Sequence, residues 1–251
     1  AGIQHMVRSD LGASGVMFTP VTAVAVTVMP GPQLTSAVAV CRRLKAAMPG
    51  VPIVWGGYFP SQHADACLSE PTVDVCVQGQ GEITMRDLMR TLTSGGALSS
   101  IPGLAYRDGG TVRRTSARAL TPLDDLPDWP YHRVDMPRYF HSHYLGRRVG
   151  THHSSFGCPF ACSFCAVVAM SNRRWVAQSP DRVGAVLERL HREHGADAVQ
   201  FHDMDFFISE SRTAAVAERL RPLGMAWWAL GRVDELTRYK NFGIRTFQAE
   251  D

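Results

Sequence analysis

The sequence predicts an α/β protein in two parts: a flavodoxin-like (Rossmann-type) sheet, then a partial (β/α) barrel. Three observations point there. Short β-rich runs alternate with segments of helical periodicity in both halves. A stretch rich in proline and aspartate, residues 120–145, lies between the halves. The second half then restarts the alternation on a strand that leads into the sequence FGCPFACSFC, Phe156 to Cys165.

In the first half, Val24–Met29 (VAVTVM) reads as a continuous buried strand, the kind a parallel sheet carries. From Gln33 to Met48, apolar Leu34, Val38, Cys41 and Leu44 fall at helical spacing, and Pro49-Gly50 stops the helix. Val51–Trp55 is the next strand, ended by Gly56-Gly57. A short helix follows over Ser61–Leu68, a strand over Val73–Val77 and a helix over Ile83–Leu92. Leu104–Thr115 reads as a hairpin turning at Asp108-Gly109-Gly110. In sheets of this kind ligands sit beyond the carboxyl ends of the strands. Those ends are Met29-Pro30-Gly31, Gly56-Gly57-Tyr58 and Gly79-Gln80-Gly81-Glu82, and two of the three carry paired glycines that let a backbone approach a ligand.

The stretch Leu120–Pro137 holds four prolines and reads as a linker. Beyond it, Gly150–Ser155 is the strand that delivers the cysteine loop. Ser179-Pro180 is an N-cap with proline at the first helical position, and Val183, Val186, Leu187 and Leu190 form an apolar stripe before Gly195 ends the helix. Strands at Ala198–His202, Met225–Leu230 and Ile244–Ala249 and a helix at Ser211–Leu220 complete the pattern. Only a few residues separate Leu236 from Ile244, too few for a crossover helix. Nothing follows the last strand to close a barrel, so residues 146–251 read as the N-terminal part of one.

Composition narrows the function. Hydrophobic residues make up 45% and charged residues 20%, an ordinary globular balance. The net charge of +3, with no long basic run, does not suggest nucleic acid. The mostly apolar stretch Val21–Met29 is too short to span a bilayer. No charged n-region, apolar h-region and cleavage site open the sequence, so a cytoplasmic location is expected. Six cysteines are too few for a disulfide scaffold; Cys41, Cys67 and Cys76 sit in apolar surroundings and read as core.

The other three, Cys158, Cys162 and Cys165, are spaced C-x3-C-x2-C on a loop that Gly157 and Pro159 keep out of regular structure. Structural zinc wants four closed ligands, and His152 or His153 could supply a fourth. A four-iron, four-sulfur cluster held by three thiolates leaves one iron open. The spacing and the preceding strand favour the cluster.

With the aromatic Phe164 before the last cysteine, the motif resembles the radical S-adenosylmethionine (SAM) signature. The resemblance implies that the open iron chelates the amino and carboxylate groups of SAM, and that one electron cleaves SAM to methionine and a 5′-deoxyadenosyl radical. It implies a (β/α) barrel with the cluster loop after the first strand, and a place for Phe164 near the adenine. A small-residue–Glu motif at the fourth strand makes Glu250, in Phe247-Gln248-Ala249-Glu250, a SAM-contacting candidate. Polar His202 and Asp203 end the second barrel strand and are expected to face the SAM site, and Arg232, after the Trp227-Trp228 strand, is expected to hold a SAM carboxylate. An ordinary helix-capping role for Asp203 and a surface ion pair for Arg232 stand beside those readings. The two tryptophans would help shield a radical, or are core. The histidines at 141, 143, 152 and 153 flank the junction of the halves, where a substrate would enter.

The upstream loops, Gly56-Gly57-Tyr58-Phe59-Pro60 and Gly79-Gln80-Gly81-Glu82, resemble the Gly-Gly-x-x-Pro and Gly-x-Gly-Glu loops of the cobalamin-dependent radical SAM class. The likeness covers Val21 to Asp251 and makes residues 1–119 a cobalamin-binding domain. Thr27, Met29, Gly31, Gly56, Gly57, Tyr58, Pro60, Gly79, Gly81 and Glu82 are its cobalamin-contacting candidates. No Asp-x-His-x-x-Gly motif is present, so cobalt is expected to have no histidine beneath it, with the Met29–Gln33 loop lying there. The class implies methyl transfer to an unactivated carbon, or to phosphorus, of a small molecule. A ring-forming or rearranging enzyme with the same cofactors is the alternative, and a zinc-stabilised binding module a third reading. A reduced ferredoxin or flavodoxin is the expected electron donor.

Overall fold

The computed structural model describes residues 21–238. The strand expected at Ile244–Ala249, and Glu250 with it, lie outside them. The chain divides into two compact units, residues 1–119 and 120–251.

The first unit carries a five-stranded sheet in the order β1-β2-β3-β4-β5: Val24–Thr27, Ile53–Gly56, Val75–Val77, Leu104–Asp108 and Thr111–Arg114. The first three are parallel, and β4 and β5 form the antiparallel hairpin. Its turn uses Gly109 and Gly110, both at positive φ. Because side chains alternate across a strand, β2 is buried on both faces. Ile53 and Trp55 join Val26, Cys41, Cys67 and Cys76 in one core, while Val54 joins Val75, Val77, Leu88 and Leu104 in the other. Helix α1 (Pro32–Ala47) covers the first face and α4 (Glu82–Ser94) the second. The single helix expected over Ser61–Leu68 is two, α2 (Tyr58–Gln62) and α3 (Ala64–Ser69), broken at His63.

The second unit has a four-stranded sheet in the order β11-β10-β7-β6, from Ala226–Trp228, Ala198–Phe201, Gly146–His152 and His141–His143. Strands β7, β10 and β11 are parallel; β6 is antiparallel. Helices α6 (Pro180–His194) and α7 (Glu210–Leu220) pack on one face through Val183, Val186, Leu187, Leu190, Val216 and Leu220 against Val199 and Phe201. A Cβ at Gly184 would lie 3.0 Å from Arg219 Cβ, so this glycine sets how closely the two helices approach. Helix α6 is capped as its sequence implies: Ser179 Oγ accepts from Arg182 N–H, and Gly195 closes it in the left-handed region.

Two expectations change. The strand predicted over Gly150–Ser155 is not continuous. It leaves the main sheet after His152, and Ser155–Gly157 (β8) pairs instead with Trp175–Ala177 (β9). The residues read as a linker also have a place in the second unit's packing. Leu123 and Met136 are buried, and Arg182 donates to the carbonyls of Asp124, Leu126 and Pro127.

Candidate cluster loop and the glycine edge

Cys158, Cys162 and Cys165 follow β8 and precede the short helix α5 (Val167–Ser171). All three are unpaired and partly exposed. The loop starts at Gly157, where φ is +81° and a Cβ would collide with the Arg174 carbonyl oxygen. Only glycine makes this exit from β8 without strain. Cys165 N–H donates to Cys162 O at 3.0 Å, a turn that places two thiols on one bend. Burial pushes the Cys158 thiol up, against the lowering effect of the Phe160 N–H, and Asp205, Cys165 and Cys162 push it the same way as burial. Loading a metal there must therefore release protons.

Buried Asp203 explains why the chain breaks from β7. One carboxylate oxygen accepts from Ser154 N–H at 3.1 Å, and the other from Ser154 Oγ at 2.9 Å and from Ser155 Oγ. Ser154 and Ser155 are thus turned toward the end of β10 instead of pairing along it. Arg212 holds the same corner, donating to Ser154 O at 3.0 Å, Ser154 Oγ at 2.8 Å and Gln178 O at 2.9 Å. Asp203 and Arg212 therefore form a clamp on the segment that feeds the cysteines. The sequence reading gave Asp203 to SAM or to a helix cap; in the structure its carboxylate, two residues beyond β10, is spent on Ser154 and Ser155. Arg212 and the serines carry no local signal.

Arg232 follows β11 and caps α8 (Val233–Leu236). Its guanidinium grips Asp234 with Nε at 3.0 Å and Nη2 at 2.8 Å, and lies 4.1 Å from the Phe160 ring centroid. Nη1 donates to Cys162 Sγ at 2.9 Å. Hydrogen bonding to Asp234 raises its pKa further. Behind it, Glu235 is buried and pushed up to about 8, mainly by desolvation and then by its hydrogen bond with Asp205. Phe164 is 90% exposed, free to stack on a flat ligand. His202 lies edge-on to His153, ring centroids 5.5 Å apart. Of the two tryptophans, Trp227 packs on Phe201, Phe206 and Phe207, which is a core role.

Three thiols without a fourth protein ligand among the described residues suit an iron–sulfur cluster better than structural zinc, which wants four. A cluster spreads its thiolates over separate irons. His152, offered as a fourth zinc ligand, is buried and spends Nε2 on Gln178 Oε1 at 2.8 Å. Burial also lowers its basicity.

In the first unit, the carboxyl ends of β1, β2 and β3 lie side by side because the strands are parallel. Their loops are tied together. Phe59 N–H donates to Val28 O at 3.1 Å. Ser61 Oγ donates to Gly57 O at 2.6 Å and accepts from Gly79 N–H at 3.0 Å. Gly57 has φ +95°, and a Cβ there would lie 2.8 Å from Thr27 Oγ1. Thr27, Met29, Gly31 and Glu82 are exposed along this edge, and Gly56, Tyr58, Gly79 and Gly81 are partly so. Pro60 is buried and supports the loop from below. Ser61, missed from the sequence, is the residue that joins two of the loops.

Residues 18–89 match the model of the B12 binding domain. The chain is 32% identical over 186 residues to the uncharacterized methyltransferase PH0819 of Pyrococcus horikoshii, covering 72% of this chain and 40% of that protein. It is 26% identical over 221 residues to the anaerobic magnesium-protoporphyrin IX monomethyl ester cyclase of Synechocystis sp., covering 83% of this chain and 44% of the cyclase. The chain thus spans less than half the length of these relatives. The fold resembles that of the radical S-adenosylmethionine methyltransferase TsrM of Kitasatospora setae, solved with cobalamin and a [4Fe-4S] cluster. There the TM-score is 0.60 at 20% identity, over 80% of this chain and 40% of that one. The resemblance read from the cysteine and glycine motifs is borne out.

Proposed function

Proceeding from a chain that resembles cobalamin-dependent radical SAM enzymes, we propose that it belongs to a methyltransferase acting on an unactivated carbon, or a phosphorus, of a small molecule. One observation carries the reading: three unpaired thiols on one clamped loop, in the same chain as a segment matching a B12 binding domain. When bound, a [4Fe-4S] cluster and cobalamin would supply one-electron cleavage of SAM and carriage of the methyl group.

The residues present do the holding. Cys158, Cys162 and Cys165 supply the thiolates. The Asp203–Arg212 clamp fixes where the loop begins, and Arg232 steadies Cys162. Phe164 offers its open ring to the adenine of SAM. His202, which follows β10 and meets the His153 ring, is a further SAM-contacting candidate, as is Glu250, outside the described residues. Cobalamin would lie on the edge formed by Thr27, Met29, Gly31, Gly56, Gly57, Tyr58, Gly79, Gly81 and Glu82, contacted largely by backbone. A ferredoxin or flavodoxin would deliver the electron. A reducing, cytoplasmic setting suits the three free thiols; among the described residues no helix is long and apolar enough to cross a membrane.

The test is anaerobic incubation of the reconstituted protein with methyl-labelled SAM, a reductant and hydroxocobalamin. Label on cobalamin together with 5′-deoxyadenosine supports the proposal. The Synechocystis relative favours one second reading, a cyclase. That reading predicts 5′-deoxyadenosine without transfer of label, and would displace the first.

A further inference from the structure

We propose that Arg232 is a positioning residue that sets the electron affinity of the cluster, acting through Cys162. This rests on the reading of the three cysteines as cluster ligands. It differs from the role suggested by sequence, in which Arg232 meets the carboxylate of SAM.

Three contacts fix the guanidinium from three directions. Asp234 takes its Nε and Nη2 edge, the Phe160 ring lies under its plane, and the remaining Nη1 points at Cys162 Sγ, 2.9 Å away. Arginine is suited to this because its donors form a rigid planar fork and its face stacks on aromatic rings. Lysine offers a single point charge. Phe160 and Cys162 are two residues apart on the cluster loop, so one side chain from the end of β11 grips that loop twice. The side chain keeps about a third of its surface exposed, 32%, so it is anchored without being sealed in.

The chemical consequence concerns the sulfur. A hydrogen bond from a cation withdraws charge from a thiolate. Reduction adds one electron to the cluster, and a nearby positive charge stabilises the more negative state. Hydrogen bonds to the sulfurs and local charge are among the factors that set cluster potentials. Arg232 therefore raises the midpoint potential and makes the cluster easier to reduce. The Asp234 carboxylate moderates that charge while holding its direction.

The experiment is an anaerobic redox titration of the whole reconstituted chain, followed by electron paramagnetic resonance. Iron and sulfide per chain are measured first. A wild-type chain that takes up no cluster overturns the reading of the site, and this proposal with it. With the cluster present, Arg232→Gln is expected to lower the midpoint potential by at least about 59 mV, a tenfold change in a one-electron equilibrium. Arg232→Lys, which keeps the charge, is expected to recover part of that shift. A loaded Arg232→Gln chain with an unchanged potential overturns the proposal, because a purely structural role would change occupancy and leave the potential alone. Should Arg232→Gln fail to load, the wild-type chain decides. Grown with ¹⁵N-arginine, its reduced cluster is expected to show a nitrogen coupling in pulsed resonance that Arg232→Lys lacks. Absence of that coupling in wild type overturns the proposal.

Discussion

Single side chains around the cysteine loop have separable jobs. Asp203 is the clearest, since three donors converge on its buried carboxylate. Asparagine in its place keeps one acceptor and presents an N–H₂ to those donors. Asp203→Asn is expected to lose about 2–4 kcal/mol of stability in urea melts of the apo chain, the range for breaking a buried charged network. Glu235 predicts a pH dependence. Its folded pKa of about 8 lies above the ordinary value of 4.5, so between those values the folded state holds the extra proton. Its contribution to stability is complete below about pH 4.5 and fades as pH rises through 8. Thermal melts should show wild type losing stability across that window, and Glu235→Gln should flatten the slope. A slope that Glu235→Gln leaves unchanged would assign the titration elsewhere. The cysteine motif stands out in the sequence because three cysteines within eight residues carry their spacing there. Its supports do not: Cys162 and Arg232 are 70 positions apart, and Ser154 and Asp203 are 49. No local pattern records a contact made only by the fold.

At the scale of elements, legibility followed the strength of local signals. Helix α6 announces itself by Ser179-Pro180, its apolar stripe and Gly195, and the structure has each of them in place. Strand β6 has no such signal, because His141-Ser142-His143 lacks alternation and becomes a strand only by pairing with β7. The break between β7 and β8 was hidden for a related reason: the contacts that hold it come from Asp203, in the loop after β10. In the first unit the three strand-end loops act together, and the Ser61 hydroxyl bridges two of them. Ser61→Ala removes both hydrogen bonds, each worth about 0.5–1.5 kcal/mol. Hydroxocobalamin binding, followed by fluorescence quenching, should weaken about fivefold or more, with a smaller effect on the melt of the second unit. Unaltered affinity would mean that the edge does not need this bridge.

For the whole molecule, the division between residues 119 and 120 is the governing fact. Each unit has cores drawn from its own residues: Trp55, Cys41 and Leu88 with their neighbours in one, Phe201, Phe206 and Leu187 with theirs in the other. A segment comprising residues 1–119 is therefore expected to fold on its own, with a cooperative melt and binding of hydroxocobalamin. Circular dichroism and titration of that segment check both. In the intact chain, calorimetry should resolve two transitions, only one of which moves on adding cobalamin. A single transition would show that the units melt as one. Separate cores also bear on inheritance. A core that closes within its own stretch of chain carries its own mutational load, so a damaging change in one half does not erode the reserve of the other. Recombination near residue 119 would exchange a complete half without cutting a core, and new chemistry could be tried on one side of that joint while the other side stays as it was.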